Sequence, residues 1–348
     1  MFNPFKKFTK DIAIDLGTAN TLVYTLDKGI IIDEPSVVAI NTKTEQILAV
    51  GQEAKQMLGK TPPYIQVTRP LTKGVISDYE VAEKMLKYFI DKAREQDRFS
   101  GFFRPRVVIA VPLDVTEVEI KAVEDATLAA GAKEVCIIHE PMAGAIGSRL
   151  PIQEPVGNMI VDIGGGNTEI AVISLSGVVT WKSTPVAGDE MNRNIIQYAR
   201  EVFNIFVGEI QAEQIKIKVG SALEKGEQIE FPMKGRDVVS GLPREIMITD
   251  GHIREALERS VQTIVDYVKM TLEVTPPELT ADIHERGVLL TGGGALLKGL
   301  DRVIAKMAEI PVRIADDPLT AVVRGAGILL EDSVLLKEVS LPSARDGK

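Results

Sequence analysis

The sequence predicts an α/β fold of two duplicated halves, each a mixed sheet carrying an inserted subdomain, with a ligand cleft between them. Three observations carry this. A strand, a glycine turn and a second strand occur twice in one register, first at Ile14–Val23 and again at Met159–Val172. Asp15 matches Asp162, Gly17 matches Gly164, Asn20 matches Asn167 and Thr21 matches Thr168, each pair 147 positions apart. A repeat at domain spacing implies two similar halves. Buried-strand runs then alternate with amphipathic helical patterns, as in layered α/β proteins. Finally, two stretches of small residues, 143–147 and 325–328, echo one another.

The glycine turns point to a chemistry. Without Cβ, a glycine lets backbone N–H groups approach a ligand closely, and consecutive N–H groups in a turn form an anion nest. An aspartate at the strand end repels phosphate directly; its natural use is to hold a hydrated Mg²⁺ that bridges to phosphates. A single such hairpin also reads as a plain β-turn. Two copies in register fit two hairpins gripping one polyphosphate from both sides.

A chain of 348 residues, 45% apolar and 26% charged, has room for two or three domains and a sizeable core. The net charge of −9 argues against a nucleic-acid partner. The single cysteine, Cys136, can form no internal disulfide, reads as an inert thiol in an apolar run, and fits a reducing cytoplasm. No apolar run approaches the ~20 residues of a membrane-spanning helix, and no signal-peptide core is present.

Phe2, Phe5 and Phe8 recur every three residues, interleaved with Lys6, Lys7 and Lys10. This is either an interfacial membrane anchor or a frayed terminus whose rings pack on the body. Residues 30–74, broken by prolines and glycines, read as a small mixed insertion. Ser77 and Glu80 form a capping box for a helix over about 79–95, buried through Val81, Met85, Leu86, Phe89 and Ile90. Phe102 and Phe103, between glycine and proline and flanked by arginines, are either a plug into the core or an exposed tip touching a membrane.

Arg106–Pro112 is a buried strand. Thr116 and Glu119 cap the next helix, with Ile120, Val123 and Ala126 inward and Glu117, Lys121 and Glu124 outward. The strand 135–138 leads to Glu140 and a small-residue helix. A carboxylate at that strand edge is where α/β sheets place ligand chemistry, although a helix N-terminus also favours a negative charge. The small residues allow close packing against the partner half, as at a hinge. His139, His252 and His284 lack ligand-spaced partners.

In the second half, Gly188-Asp189-Glu190 opens a helix at about 190–203. Glu213 and Lys216, three apart on the next helix, read by themselves as a solvated ion pair. Residues 226–250 are β, and a helix at 251–273 shows one stripe from Ile253 to Leu272 and stops at Pro276-Pro277. Thr291-Gly292-Gly293-Gly294-Ala295 is a glycine turn between strand and helix, able to lie against a base or phosphate. The tail 331–348 reads as polar and loose.

In this order Asp15–Thr18, Glu140 with its helix, Asp162–Gly166, Thr291–Gly294 and the closing small-residue helix resemble the five-part nucleotide site of the actin, sugar-kinase and DnaK-chaperone superfamily. Asp15–Thr21, Glu34-Pro-Ser-Val-Val38, Glu140–Ala143, Leu175-Ser-Gly177 and Leu289–Leu296 resemble, more closely, the MreB family of bacterial actin homologues, over nearly the whole chain. The resemblance implies an actin-like fold. Residues 1–146, with an insertion at about 33–74, would form one half completed by 319–348. Residues 147–318, with an insertion at about 186–245, would form the other. It implies ATP in the cleft, and cytoplasmic filaments on the inner membrane face that organise wall synthesis and rod shape.

Carried over by position, the resemblance has Asp15 and Asp162 hold Mg²⁺ through water. Gly17, Thr18, Ala19 and Asn20, with Gly164, Gly165, Gly166, Asn167 and Thr168, would cradle the phosphates. Gly188 would also bind the nucleotide, Glu213 and Lys216 would meet the nucleoside, and Gly292, Gly293, Gly294 and Ala295 the base and α-phosphate. Glu140 would polarise the attacking water. Phe102 and Phe103 fall where the family has a membrane-inserting loop, and Phe2, Phe5 and Phe8 where some members carry an anchor. Residues 117–129, with Val118 outward, resemble the helix that pairs antiparallel protofilaments. RodZ, MreC, MreD and wall-synthesis proteins are the implied partners.

One departure stands out. The family usually has two threonines after the three glycines, the first helping to position the attacking water. Here that position is Asn167, which can donate and accept but is larger. The other class the glycine turns admit is a small-molecule kinase, which needs a cleft aspartate facing the γ-phosphate, where this chain offers Glu140. A DnaK-type chaperone would need a peptide-binding domain beyond residue 330.

Overall fold

The computed structural model describes residues 11–95, 104–224 and 228–342. They divide into two compact units. One holds the described residues of Met1–Pro155, Ile173–Val178 and Leu319–Lys348; the other holds Val156–Val172 and Val179–Pro318.

The first unit opens with an antiparallel meander, β1 (Ile12–Leu16), β2 (Asn20–Thr25) and β3 (Gly29–Pro35). A small sheet follows from β4 (Val38–Asn41), β5 (Ile47–Val50) and β6 (Ile65–Thr68), in the order β5-β4-β6, with α1 (Gln52–Met57) between β5 and β6. It keeps its own core of Val37, Ala39, Ala49 and Ala54. A short hairpin, β7 (Leu71–Thr72) and β8 (Val75–Ile76), leads to α2 (Tyr79–Glu95). Then β9 (Arg106–Val111), α3 (Glu117–Ala129), β10 (Glu134–His139) and α4 (Glu140–Gly147) complete a sheet ordered β10-β9-β1-β2-β3. Strand β9 runs parallel to both β1 and β10, so each pair needs a crossover connection: α2 lies on the path from β1 to β9, and α3 on the path from β9 to β10.

The second unit repeats the plan. Strands β11 (Asn158–Ile163), β12 (Thr168–Ser174) and β13 (Gly177–Thr184) precede α5 (Gly188–Phe203). The inserted part is β14 (Ile205–Phe206), α6 (Glu209–Val219), β15 (Glu230–Asp237) and β16 (Pro243–Thr249), its sheet ordered β14-β15-β16. Helices α7 (Asp250–Val274) and α8 (Pro277–Arg286), strand β17 (Val288–Thr291), a 3-10 turn at Gly293–Leu296, α9 (Leu300–Ala308) and β18 (Val312–Ile314) follow. The main sheet runs β13-β12-β11-β17-β18. Matched strand for strand, this is the order of the first sheet, so the duplication read from two hairpins extends through both sheets. The chain ends with α10 (Ala321–Glu331) and α11 (Ser333–Val339), grouped with the first unit.

Several expectations are corrected. Helix α2 is capped by Asp78, whose Oδ1 accepts from Val81 N at 3.2 Å; the Ser77 hydroxyl donates instead to Pro70 O at 3.1 Å. Glu124 on α3 is buried, because α3 packs against α2 as well as β10 and its covered face is wider than one stripe. The Thr116–Glu119 capping box is present. Pro276 and Pro277 end α7 but also start α8, since proline at N1 has no amide hydrogen to lose. The turn after Thr291 enters a 3-10 turn, and the helix begins only at Leu300. The stretch 333–339 is not loose: Leu335, Leu336 and Val339 are buried, and Leu341 N donates to Ile137 O at 2.8 Å, covering the edge of β10. The two small-residue helices pack on each other within one unit rather than across to the other half. A Cβ on Gly325 would collide with Ala143 O, and one on Gly147 with Ala321 O, so the backbones of α4 and α10 touch directly.

Candidate functional site

One glycine turn lies in each unit. In the first, β1 delivers Asp15, half-buried, to the mouth of the turn at Gly17–Ala19. A Cβ on Gly17 would stand 2.7 Å from Asn20 O, so the turn closes only around glycine. The turn is held from behind. Ser36 Oγ donates to Gly17 O at 2.6 Å, Ser36 N donates to Ala19 O at 3.0 Å, and the Thr21 and Ser36 hydroxyls are 2.9 Å apart. Thr18 Oγ1 accepts from Gly74 N at 2.7 Å, at the tip of the β7–β8 hairpin. The Asn20 carboxamide is engaged by Asp33, at 2.8 Å.

In the second unit the turn spans Gly164–Asn167, closed by Gly164 N donating to Asn167 O at 3.0 Å. The start of α5 folds over it: Gly188 N donates to Gly164 O at 3.1 Å and Asp189 N to Gly165 O at 2.8 Å. Thr168 Oγ1 donates to Val186 O at 2.7 Å. Lys216 on α6 donates from Nζ to Gly188 O at 2.7 Å, so it ties the inserted part to this junction. Glu213, one turn earlier on α6, is half-buried.

Asp162, the penultimate residue of β11, lies beside Thr291, its register partner on β17, whose Oγ1 donates to Asp162 Oδ1 at 3.0 Å. Burial pushes the Asp162 carboxyl up to about 6, while the Thr291 bond pulls the other way. Gly292, at φ +77°, has its missing Cβ 2.6 Å from Asp162 Oδ1; any side chain there would strike the carboxylate. Gly294 is required by Ile163, whose side chain occupies the space a Cβ would fill. Asp162, Thr291 and Gly292–Ala295 therefore pack as one continuous unit.

Asn167 is buried, 7% exposed, and its Nδ2 has no hydrogen-bond partner among the described residues. A buried, unsatisfied donor costs about 1–3 kcal/mol, which a ligand acceptor would recover. Glu140 sits buried at the first position of α4, followed by Pro141. Its neighbour His139 binds Pro112 O through Nδ1 at 3.1 Å; burial lowers its pKa and keeps the ring neutral. Cys136 is half-buried, and burial raises its thiol pKa, consistent with an unreactive sulfur.

Val118 stands 78% exposed on α3. Phe2, Phe5, Phe8, Phe102 and Phe103 lie outside the described residues. Two contributors escaped the sequence reading, Ser36 and Thr291. Both sit inside motifs already singled out, Glu34-Pro-Ser and Thr-Gly-Gly-Gly, but only their contacts give them work.

Paired five-stranded sheets of one order, each with an Asp–glycine-turn hairpin and an inserted small sheet, define an actin-like protein. The chain superposes on MreB5 of Spiroplasma citri bound to ADP with a TM-score of 0.89 and 36% identity, covering 94% of this chain and 98% of that one. The AMPPNP-bound form of the same protein matches at 0.88. A MamK double helical filament, 21% identical, shares the fold at a TM-score of 0.78 over 92% of this chain and 99% of that one. The family model described as MreB/Mbl protein matches residues 9–338. The chain is 47% identical to the cell shape-determining protein Mbl of Bacillus subtilis, across 93% of this chain and 97% of the relative. It is 48% identical to the cell shape-determining protein MreB of Escherichia coli, across 93% and 94%. It belongs to the MreB/Mbl family.

Proposed function

We propose that this protein binds and hydrolyses ATP and forms filaments on the inner face of the cell membrane that organise wall synthesis and maintain rod shape. The observation that carries the reading is the duplicated Asp–glycine-turn hairpin, in a chain whose structural relatives hold ADP and AMPPNP. The glycine turns would bind the nucleotide. Thr18, Ala19, Asn20, Gly165 and Gly166 would offer backbone N–H groups to its phosphates. Glu213 and Lys216 would meet the nucleoside, and Gly292–Ala295 the base side.

The residues fit a magnesium ion. Asp162 is a hard oxygen donor, buried with a single bond from Thr291, and Asp15 is its counterpart in the other turn. Mg²⁺ when bound would neutralise charge on the phosphate oxygens. Glu140 would accept a proton from the attacking water, and Asn167 Nδ2 would donate to that water or to a terminal phosphate oxygen.

Self-association through α3, with Val118 at a symmetric contact, accounts for an apolar residue so exposed on a charged helix face. Membrane attachment through Phe2, Phe5, Phe8, Phe102 and Phe103, and partnership with RodZ, MreC and MreD, rest on family membership. Incubation with ATP and Mg²⁺, followed by pelleting, phosphate release and microscopy on anionic lipid, tests the whole. A soluble monomer that releases no phosphate and ignores vesicles would refute it.

A further inference from the structure

We infer that Ser36 is a positioning residue for the phosphate-binding turn of the first half, an inference that rests on the ATP-binding reading above. Ser36 is fully buried just beyond β3 and reaches the turn through two of its own groups, Oγ to Gly17 O and N to Ala19 O. Since its hydroxyl hydrogen goes to Gly17 O, the 2.9 Å contact with Thr21 has Thr21 donating to Ser36 Oγ. The hydroxyl is thus held at both ends.

The consequence follows from the planar trans peptide, in which C=O and N–H point in opposite directions. With Gly17 O turned back onto Ser36, the N–H of Thr18 must face the other way. With Ala19 O turned back as well, so must the N–H of Asn20. Ser36 thereby fixes two peptide planes with their donors directed outward, the orientation an anion nest requires.

The second half solves the same problem with different atoms. Gly164, the counterpart of Gly17, has its carbonyl engaged by Gly188 N, and Gly165 O is engaged by Asp189 N. Those bonds turn the N–H groups of Gly165 and Gly166 outward. Thr168, the counterpart of Thr21, likewise donates behind the turn, to Val186 O. In each half the segment after the third strand pins the carbonyls of the glycine turn. In the second half that segment is main chain alone, whereas in the first it needs a serine hydroxyl. One side-chain substitution can therefore loosen the first turn and not the second.

The test is isothermal titration of wild type, Ser36→Ala and Ser36→Thr with ATP and with ADP in Mg²⁺, and with adenosine by competition. Thermal unfolding without nucleotide is measured in parallel. Ser36→Ala is expected to bind ATP and ADP roughly five- to tenfold more weakly, the scale of one hydrogen bond. Adenosine binding should be unchanged, because Ser36 touches only the phosphate turn, and Ser36→Thr should regain most of the affinity. Thr21→Val, which spares the Ser36 donation, should show a smaller loss. Equal weakening of all three ligands in step with lost thermal stability would make Ser36 merely structural and overturn the inference. Unchanged ATP affinity in Ser36→Ala would overturn it too, while a wild type that binds no ATP would refute the ATP-binding reading itself and this inference with it.

Discussion

Replacing Asp162 by asparagine separates two consequences of one buried carboxylate. The side chain is enclosed at the end of β11, with a single hydrogen bond from Thr291, and burial raises its pKa from 3.8 to about 6. Below pH 3.8 the group is neutral in both folded and unfolded chains and contributes nothing. Between the two values the unfolded chain holds fewer protons than the folded one, so stability falls as pH rises. Above about 6 the group is charged in both states and the penalty is constant. At about 1.4 kcal/mol per pH unit, the gap from 3.8 to about 6 corresponds to a penalty of about 3 kcal/mol. Asparagine has no charge to bury and keeps an oxygen for the Thr291 hydroxyl. Without nucleotide, Asp162→Asn should therefore be more stable than wild type by up to about 3 kcal/mol at pH 8, with a smaller advantage at pH 5. The same change should abolish Mg²⁺-dependent strengthening of ATP binding. Urea titrations at pH 5, 6, 7 and 8, with ATP titrations in Mg²⁺ and in chelator, measure both. A stability difference that does not change with pH would refute the electrostatic reasoning, and intact Mg²⁺ dependence would remove Asp162 from the metal site.

Glu140→Ala should keep ATP affinity and lower phosphate release by roughly 10²–10³, the scale of a lost general base; equal losses in both would make Glu140 a structural residue. Asn167→Thr removes a buried amide that has no partner among the described residues and supplies the hydroxyl that the family resemblance implies for this position, so turnover should rise with ATP affinity little changed, read in the same phosphate-release assay. Val118→Glu should weaken lateral pairing without touching ATP binding, since like charges would face each other across a symmetric contact; unchanged double filaments in micrographs would exclude α3. Gly325→Ala places a methyl against the backbone of α4 and should cost about 1–3 kcal/mol or more, whereas Gly208→Ala, with nothing within 4 Å but at the N-cap of α6, should cost less than about 1 kcal/mol in urea.

The duplication was legible because it is written locally. Asp-x-Gly followed by Asn-Thr reads as a strand–turn–strand from its own residues, and its recurrence in one register implies both halves without any long-range contact. Amphipathic stripes marked α2 and α7 for the same reason: their periodicity reports a buried face without naming what covers it. The cap of α2 was missed because Ser77 and Asp78 are equally good caps in sequence, and the choice fell to Pro70, which claims the Ser77 hydroxyl. The tail failed similarly, since three buried apolar residues among charges look like a surface until the edge of β10 is there to be covered.

The sequence by itself determined the family, the two Asp–glycine turns, the carboxylate at the head of α4 and the asparagine that follows the three glycines. Each is a property of a short segment and survives without knowledge of its neighbours. Only the tertiary structure decided that Ser36 and Thr291 belong to the turns, that α4 and α10 meet backbone to backbone, and that Asp162 is buried deeply enough for its pKa to rise. Ser36 lies 19 residues from Gly17, and Thr291 lies 129 residues from Asp162. Hydrogen bonds over such separations depend on sheet register and on where strands return, and no local preference of the chain encodes that.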